Sequence, residues 1–248
     1  MMRAVVTADP ILRARGVNKS YGALKVLHDV DIDVLPGEAL GIVGPNGAGK
    51  TTLFGALAGS FPVTSGAISF NGIDLTGTRA SDRCQLGIAR THQVPRPFLG
   101  MTVFENLLVA AQSGARLDAA AATGRAADVL RRTGLADAAN RPAAALGLLD
   151  RKRLEVARAL ATGPKLILLD EIGGGLTESE LIALVDLIQS LRSEGLTIVW
   201  IEHILHALMR VVTRLICMSE GRILAEGEPR DVMANAEVQR AYLGSSPE

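Results

Sequence analysis

One stretch of eight residues, GPNGAGKT from Gly44 to Thr51, limits what this chain can fold into more than any other feature. It fits the pattern G-x-x-x-x-G-K-[ST], in which backbone amides cradle phosphates, the lysine neutralises them and the hydroxyl binds Mg²⁺. The apolar run ALGIV precedes it as a strand, and TTLFGALAG continues it as a helix. That order is the context the motif requires. The sequence predicts a site for ATP and Mg²⁺ formed by Gly44, Pro45, Asn46, Gly47, Ala48, Gly49, Lys50, Thr51 and Thr52, with Thr51 as a metal ligand.

Two adjacent acids, Asp170 and Glu171, follow the apolar run LILL. A carboxylate at the end of a buried strand is costly unless a cation compensates it, and Mg²⁺ held through water supplies one. Glu171 then stands where a carboxylate orients or deprotonates the water that attacks the γ-phosphate. The simpler alternative is that both acids cap the next helix. Beside a P-loop, we expect Asp170 to serve the metal and Glu171 to act as the base.

Three further residues are weaker candidates when each is taken alone. Tyr21 lies upstream of the P-loop, where an aromatic face can stack on adenine, although a surface or core position is the simpler interpretation. Gln93 lies in the loop THQVPRP and is a candidate ligand of Mg²⁺ or water, or an ordinary turn residue. His203 ends TIVWIEH, where a lone histidine is more often structural than a phosphate sensor.

The pattern of apolar residues predicts an α/β core interrupted by helices. The segment VDIDV at 30–34 alternates with period two, as a half-exposed antiparallel strand does. Thr102 with Glu105, and Thr177 with Glu180, fit the T-x-x-E capping box that opens a helix. We therefore expect a helical subdomain over residues 91–162. It is inserted into a core of residues 1–90 and 163–248, which begins with antiparallel strands.

Composition argues against several classes of protein. Lys plus Arg and Asp plus Glu number 26 each, so no overall positive field favours a nucleic acid partner. Cys84 and Cys217 are far apart and form no CxxC pair, which argues against a zinc site or a disulfide framework. The start, MMRAVVTADP, has too short an apolar run for a secretory signal, and no run approaches the ~20 residues of a membrane helix. Any membrane role is expected to act through a partner.

Taken together, Tyr21, GPNGAGKT, Gln93, LILLDE and His203 resemble the ATP-binding subunit of an ABC transporter, over nearly the whole chain. Within that family, the segments ARTHQVPRPFLGMTVFENLLVAA, RLEVARALATGPKLILLDE and GRILAEGEPRDVMANAEVQRAYLG look most like ATPases of branched-chain (hydrophobic) amino acid importers. The resemblance implies a single ABC ATPase domain over residues 1–248. Its fold class is α/β, a P-loop NTPase (RecA-like) core with an N-terminal antiparallel β-subdomain and an inserted α-helical subdomain.

The resemblance also implies partners and roles. Two such subunits sandwich two ATP molecules, and each site is completed by the partner's signature loop. Closure is transmitted through the Gln93 loop to integral membrane permease subunits, which work with a solute-binding protein. Tyr21 becomes the adenine platform, and the catalytic residues become Glu171 as base, His203 as γ-phosphate switch and Gln93 as coupling glutamine and metal ligand. Such a subunit lies peripherally on the cytoplasmic face of the inner membrane.

The sequence departs from the family where the signature LSGGQ should stand. Counting back from RLEVARALA gives Leu146-Gly147-Leu148-Leu149-Asp150, in which Leu149 is bulky and Asp150 is charged. Small residues are needed there because backbone amides must approach the partner's γ-phosphate closely. We expect the carboxylate of Asp150 to point away from the phosphate and to cap the following helix. Three further departures are Ile172 for Pro, Thr177 for Asp or Asn, and His92 for Phe.

These departures leave two alternatives to an importer ATPase. One is a nucleotide-binding regulatory subunit that pairs with a competent ATPase and supports little hydrolysis across its own signature loop. The other is an exporting or lipid-extracting ABC ATPase, because such subunits share similar P-loops and C-terminal endings. The second ATPase subunit is expected to be either an identical or a related chain.

Overall fold

Two β-sheets and a group of helices form the part of the chain that the computed structural model describes, residues 9–243. The prediction about a secretory start falls mostly on residues 1–8, outside this range. Labelled in chain order, the strands are β1 Leu12–Tyr21, β2 Leu24–Val34, β3 Ala39–Val43, β4 Ser65–Phe70, β5 Ile73–Asp74, β6 Ile88–Arg90, β7 Leu166–Asp170, β8 Thr197–Ile201, β9 Arg214–Ser219 and β10 Arg222–Gly227. The α-helices are α1 Lys50–Ala58, α2 Ala80–Leu86, α3 Val103–Gly114, α4 Ala119–Arg132, α5 Leu148–Ala161, α6 Glu178–Ser193, α7 Leu205–Met209, α8 Pro229–Ala234 and α9 Ala236–Leu243.

The larger sheet has the strand order β10-β9-β3-β8-β7-β6, and only its edge strand β10 is antiparallel to its neighbour. Every residue of β3, β7 and β8 is buried, as expected for parallel strands that are covered on both faces. Within β7, Leu166 and Leu168 pack into one apolar cluster, and Ile167 and Leu169 pack into the other. This alternation places the sheet between two hydrophobic layers.

The smaller sheet is antiparallel and has the order β2-β1-β4-β5. The apolar residues of VDIDV are buried and the two acids are not, which confirms the predicted half-exposed strand. Its inner face shares a cluster with α1 and with one face of the larger sheet. The predicted fold class, an α/β P-loop core with an N-terminal antiparallel sheet and inserted helices, is confirmed.

The inserted helices α3, α4 and α5 lie in sequence between β6 and β7 and pack on one another through buried apolar residues. Both predicted capping boxes are present. Thr102 N donates to Glu105 Oε2 at 2.7 Å, and Thr177 N donates to Glu180 Oε2 at 2.9 Å. The division into a core and a subdomain at residues 91 and 162 remains an interpretation. Within residues 9–243, no helix has both the length and the hydropathy that crossing a membrane requires.

The structure corrects two predictions about helix caps. Helix α5 begins at Leu148, three residues earlier than expected, so Asp150 lies inside its first turn and Gly147 occupies the cap position. Asp150 Oδ1 accepts from Arg153 Nη1 at 3.4 Å and does not cap. The alternative that Asp170 and Glu171 cap the next helix is also wrong, because the cap of α6 is Thr177.

Arg83 anchors the end of the helix that follows the P-loop. Its buried guanidinium donates to Leu57 O at 2.8 Å, to Ala56 O at 2.6 Å and to Leu75 O at 2.8 Å. We expect Arg83→Met to lower the free energy of unfolding by about 2–3 kcal/mol, because buried carbonyls lose their donors. Urea denaturation measures it. The control is Arg79→Met, since Arg79 makes an exposed ion pair that is worth under about 1 kcal/mol. Equal effects of the two substitutions would contradict the anchoring role.

Candidate active site

The P-loop begins where β3 ends and closes onto α1. Gly44 and Gly49 adopt positive φ angles of 146° and 95°, and a Cβ on Gly44 would overlap the carbonyl oxygen of Met218 on β9. The loop is supported from the β9–β10 turn, where Gly221 N donates to Ala48 O at 3.1 Å. Only glycine fits these positions without strain, because they combine a left-handed or extreme backbone with close neighbours.

Lys50 is folded back inside this loop. It is buried, and its Nζ donates to Gly44 O at 2.7 Å and to Pro45 O at 3.0 Å. Burial lowers the pKa of Lys50, while the Glu171 carboxylate acts in the opposite direction. Burial disfavours the charged form of Lys50 because it removes water from the ammonium. A bound anion would compensate that charge, so the site favours an anion.

A cavity of about 200 Å³ opens over the start of α1. The first amides of a helix have no carbonyl partner within it, and they carry the positive end of the helix dipole. The helix cap, Gly49, has no side chain to occupy these amides. The arrangement is therefore suited to hold phosphate groups. The residues that line the cavity are Val26, Asn46, Gly47, Ala48, Gly49, Lys50, Thr51, Thr52 and Glu171.

Asp170 is buried and ion-paired at the end of β7. Its Oδ2 lies 2.6 Å from Arg90 Nη2, and its backbone N donates to Thr91 Oγ1 at 3.1 Å. Arg90 ends the neighbouring strand β6, so parallel pairing brings the two side chains to the same sheet edge. Arg90 therefore supplies a compensating cation that the sequence analysis did not foresee. The assignment of Asp170 to Mg²⁺ stays a prediction. The signal that sequence reasoning missed was a basic residue, Arg90, directly before the segment THQVPRP.

Glu171 joins two of the weaker candidates into one group. Gln93 Nε2 donates to Glu171 Oε2 at 2.7 Å, and His203 Nε2 lies 2.7 Å from Glu171 Oε1. An ionised carboxylate only accepts hydrogen bonds, so the second contact requires the hydrogen on Nε2. Glu171 also has a φ of 45°, which is uncommon for a residue other than glycine. Backbone strain of this kind clusters at functional sites.

Glu202 holds the backbone on both sides of this group, and sequence reasoning did not single it out. It is 2% exposed. Its Oε2 accepts from Gly173 N at 2.9 Å, and its Oε1 accepts from His203 N at 2.9 Å. The segment after Glu171 and the segment that carries His203 are thereby tied together. The signal was available, because Glu202 directly follows a buried strand as Glu171 does.

Tyr21 lies apart from this group, at the end of β1. Its side chain is 47% exposed, and its ring makes an edge contact with Phe61 at a centroid distance of 5.8 Å. Lys19 Nζ is 4.9 Å from the centroid of the Tyr21 ring. Tyr21 does not line the cavity above the P-loop. The residue of the antiparallel sheet that lines this cavity is Val26. Its role as adenine platform stays a prediction.

The predicted signature segment forms the start of α5. Gly147 is exposed at the cap, Leu148 is 41% exposed, and Leu149 is half-buried against the helical apolar cluster. Leu148 also lines a cavity of about 390 Å³ together with Gln93, Glu171 and His203 of the same chain. Bulky leucine side chains therefore occupy two positions of the predicted signature segment.

Known proteins are similar to this chain over nearly its whole length. Residues 27–173 match the family model described as ABC transporter, and residues 222–247 match the one described as branched-chain amino acid ATP-binding cassette transporter. The chain is 37% identical to the high-affinity branched-chain amino acid transport ATP-binding protein LivG of Escherichia coli (strain K12), covering 96% of this chain and 100% of that protein. It is 34% identical to BraF of Pseudomonas aeruginosa, which bears the same description, with 96% and 99% covered.

Solved structures show the same fold. A crystal structure of the ADP conformation of an ATP-binding cassette of an ABC transporter is 30% identical, with a TM-score of 0.86 that covers 95% of this chain and 99% of the other. CbiO1 from Clostridium perfringens, part of an ABC transporter complex, is 27% identical, with a TM-score of 0.83 and 96% of each chain covered.

Replacing Tyr21 tests the placement of the base. We expect Tyr21→Ala to weaken ATP binding about tenfold, because a stacked base contributes ~1–3 kcal/mol. Inorganic triphosphate, which has no base, should bind equally to both proteins. Fluorescence titration measures both ligands. The control is Leu24→Ala, which removes the exposed neighbour that pairs with Tyr21 across the hairpin. A parallel loss of triphosphate affinity would reject the stacking role.

Proposed function

This chain belongs to the ABC transporter family of ATP-binding proteins, and we propose that it hydrolyses ATP to drive import of branched-chain amino acids or related small solutes. Substrate class is taken from relatives such as LivG and BraF, whose similarity spans almost the whole chain. The match of residues 222–247 to the branched-chain amino acid group supports the same choice. It also argues against the exporting and lipid-extracting alternative.

The contact of Gln93 and His203 with one carboxylate is the observation that carries the hydrolytic role. Both oxygens of Glu171 are engaged, so the carboxylate has a fixed direction beside the P-loop cavity that it also lines. In the proposed reaction, Lys50 and the first amides of α1 hold the phosphates. Glu171 accepts a proton from the attacking water, and His203 and Gln93 orient that carboxylate and the terminal phosphate.

The residues around Glu171 also fit Mg²⁺. Magnesium takes oxygen ligands, few of them from the protein, and fills the remainder with water and substrate phosphates. The proposed ligands are the Thr51 hydroxyl, the Asp170 carboxylate and the Gln93 amide oxygen. Gln93 bonds to Glu171 through its Nε2, so its amide oxygen takes no part in that hydrogen bond. When bound, the ion neutralises charge on the phosphates. Magnesium is part of the proposal.

Proteins of this family act as dimers with membrane permeases, and we propose both kinds of partner here. The segment Gly147 to Asp150 of a second subunit, identical or related, completes each site. Beyond Gln93 the surface carries the exposed apolar side chains of Val94, Phe98 and Leu99, which suit contact with a permease. A solute-binding protein takes part indirectly, and the subunit lies on the cytoplasmic face of the inner membrane.

Variants at two positions test the proposed function in membrane vesicles that contain the cognate permease. We expect Lys50→Ala to abolish ATP binding, and Glu171→Gln to retain binding while turnover falls ~100-fold or more, because it removes a general base. Uptake of labelled leucine and phosphate release are measured together. The matched control is Glu194→Gln, an exposed acid paired with Arg132. Uptake that persists unchanged with either site variant in both subunits would overturn the proposal.

A second candidate, the regulatory subunit, is favoured by the exposure of Leu148 and the bulk of Leu149 at the signature segment. On this view the triple variant Leu148→Gly, Leu149→Gly, Asp150→Gln speeds ATP hydrolysis by the purified chain at least tenfold, because the family's small residues allow close approach to phosphate. On the main proposal the unmodified homodimer already turns over vigorously. Steady-state phosphate release from the two proteins separates the candidates, and vigorous turnover without substitution rejects the regulatory one.

A further inference from the structure

Building on the proposed function, we propose that Glu155 is a positioning residue that fastens the loop of Gln93 to the helix of the signature segment. The Gln93 loop is defined as residues 92–96, and the signature helix is α5, Leu148–Ala161. Glu155 is not among the site residues predicted from the sequence. It lies in the second turn of that helix.

The contacts between the signature helix and the Gln93 loop run along one helix face. Glu155 Oε1 accepts from His92 N at 3.2 Å, and Glu155 Oε2 accepts from Arg96 N at 3.3 Å. Lys152 and Arg158 lie three positions to either side of Glu155, so they share its face. Lys152 Nζ lies 3.4 Å from Gln93 O, and Arg158 Nη1 donates to Arg96 O at 2.6 Å. Four backbone groups of a five-residue loop therefore bond to one helix.

The hydrogen bonds of Glu155 matter because its carboxylate is buried. Glu155 is 5% exposed, and a carboxylate removed from water requires partners for its oxygens. Arg158 Nη1, 3.3 Å from Oε2, is its ion-pair partner, and the two loop amides are its other donors. The loop lies between the last backbone bond of the sheet, Thr91 N to Leu168 O, and Phe98, which Asn106 of α3 holds. Between these points, the described contacts of the loop backbone are with α5.

This attachment connects two distant parts of the site through one rigid element. The signature segment forms the first turn of α5, and the Gln93 loop is held one to three turns further along the same helix. Gln93 in turn donates to Glu171. A displacement of the signature segment, caused by phosphate on the partner subunit, therefore reaches the Gln93 loop without passing through the sheet. Glu155 keeps Gln93 aligned with Glu171 and couples the loop to the signature segment.

Hydrogen exchange distinguishes this positioning role from simple burial, because the two amides that Glu155 holds are known. In Glu155→Gln one side-chain oxygen becomes an NH₂ group that cannot accept. We expect exchange in residues 92–96 to accelerate about tenfold, with peptides of α3 and β7 unchanged. Glu155→Ala should accelerate it further. The matched control is Asp128→Asn, which alters an exposed ion pair on α4. Acceleration spread evenly over the helices, or none in residues 92–96, would overturn the proposal.

ATP kinetics of the same variants supply the second readout. Glu155→Gln should leave ATP affinity within about twofold, because its side chain does not line the P-loop cavity, and should lower kcat about tenfold through Gln93. An equal loss in the control, or a raised KM at unchanged kcat, would contradict the assignment. If the unmodified chain does not hydrolyse ATP, the proposed function fails, while hydrogen exchange still tests the attachment of the loop.

Discussion

The parallel pairing of β3, β8 and β7 is the constraint on which the site depends. Ile42 and Asp170 both stand opposite Ile201, so the three strands end at the same level of the sheet. The residues that follow them then meet at one edge, and Glu171 N donates to Ile201 O at 2.9 Å as the ladder ends. A slip of one residue would turn every side chain of a strand to the other face. Burial on both faces prevents this.

Buried charges hold the irregular segments at this edge. Arg90 pairs with Asp170, Glu202 binds the backbone at Gly173 and His203, and Glu155 binds the Gln93 loop. Each lies on a regular element or directly follows one, and Glu202 and Glu155 hold loop backbone. Replacing a buried ion pair by apolar packing is often neutral or stabilising, whereas removing one partner alone is strongly destabilising. Loop geometry at this site is therefore determined by charged residues that do not themselves face the phosphate cavity.

Local patterns predicted the fold well and the site in part. The P-loop, the buried run LILLD and both capping boxes depend on neighbouring residues, so spacing alone was sufficient to predict them. Arg90, Glu155 and Glu202 were missed because their partners are 80, 59 to 63, and 29 residues away in sequence. The cap at Asp150 was predicted wrongly because the leucines before it are good helix formers and start the helix earlier. Long-range contacts, which only the folded chain supplies, decided the first three cases, whereas the start of α5 was decided by its own local sequence.

The central claim is that Gln93, Glu171 and His203 act as one unit. A double-mutant cycle on kcat for ATP hydrolysis, with Glu171→Gln, His203→Ala and their combination, tests it most directly. Residues that act as a unit give strongly non-additive losses. The account predicts that the double variant is no more than about twofold slower than Glu171→Gln alone. Losses that multiply would show that the two side chains act independently and would contradict it.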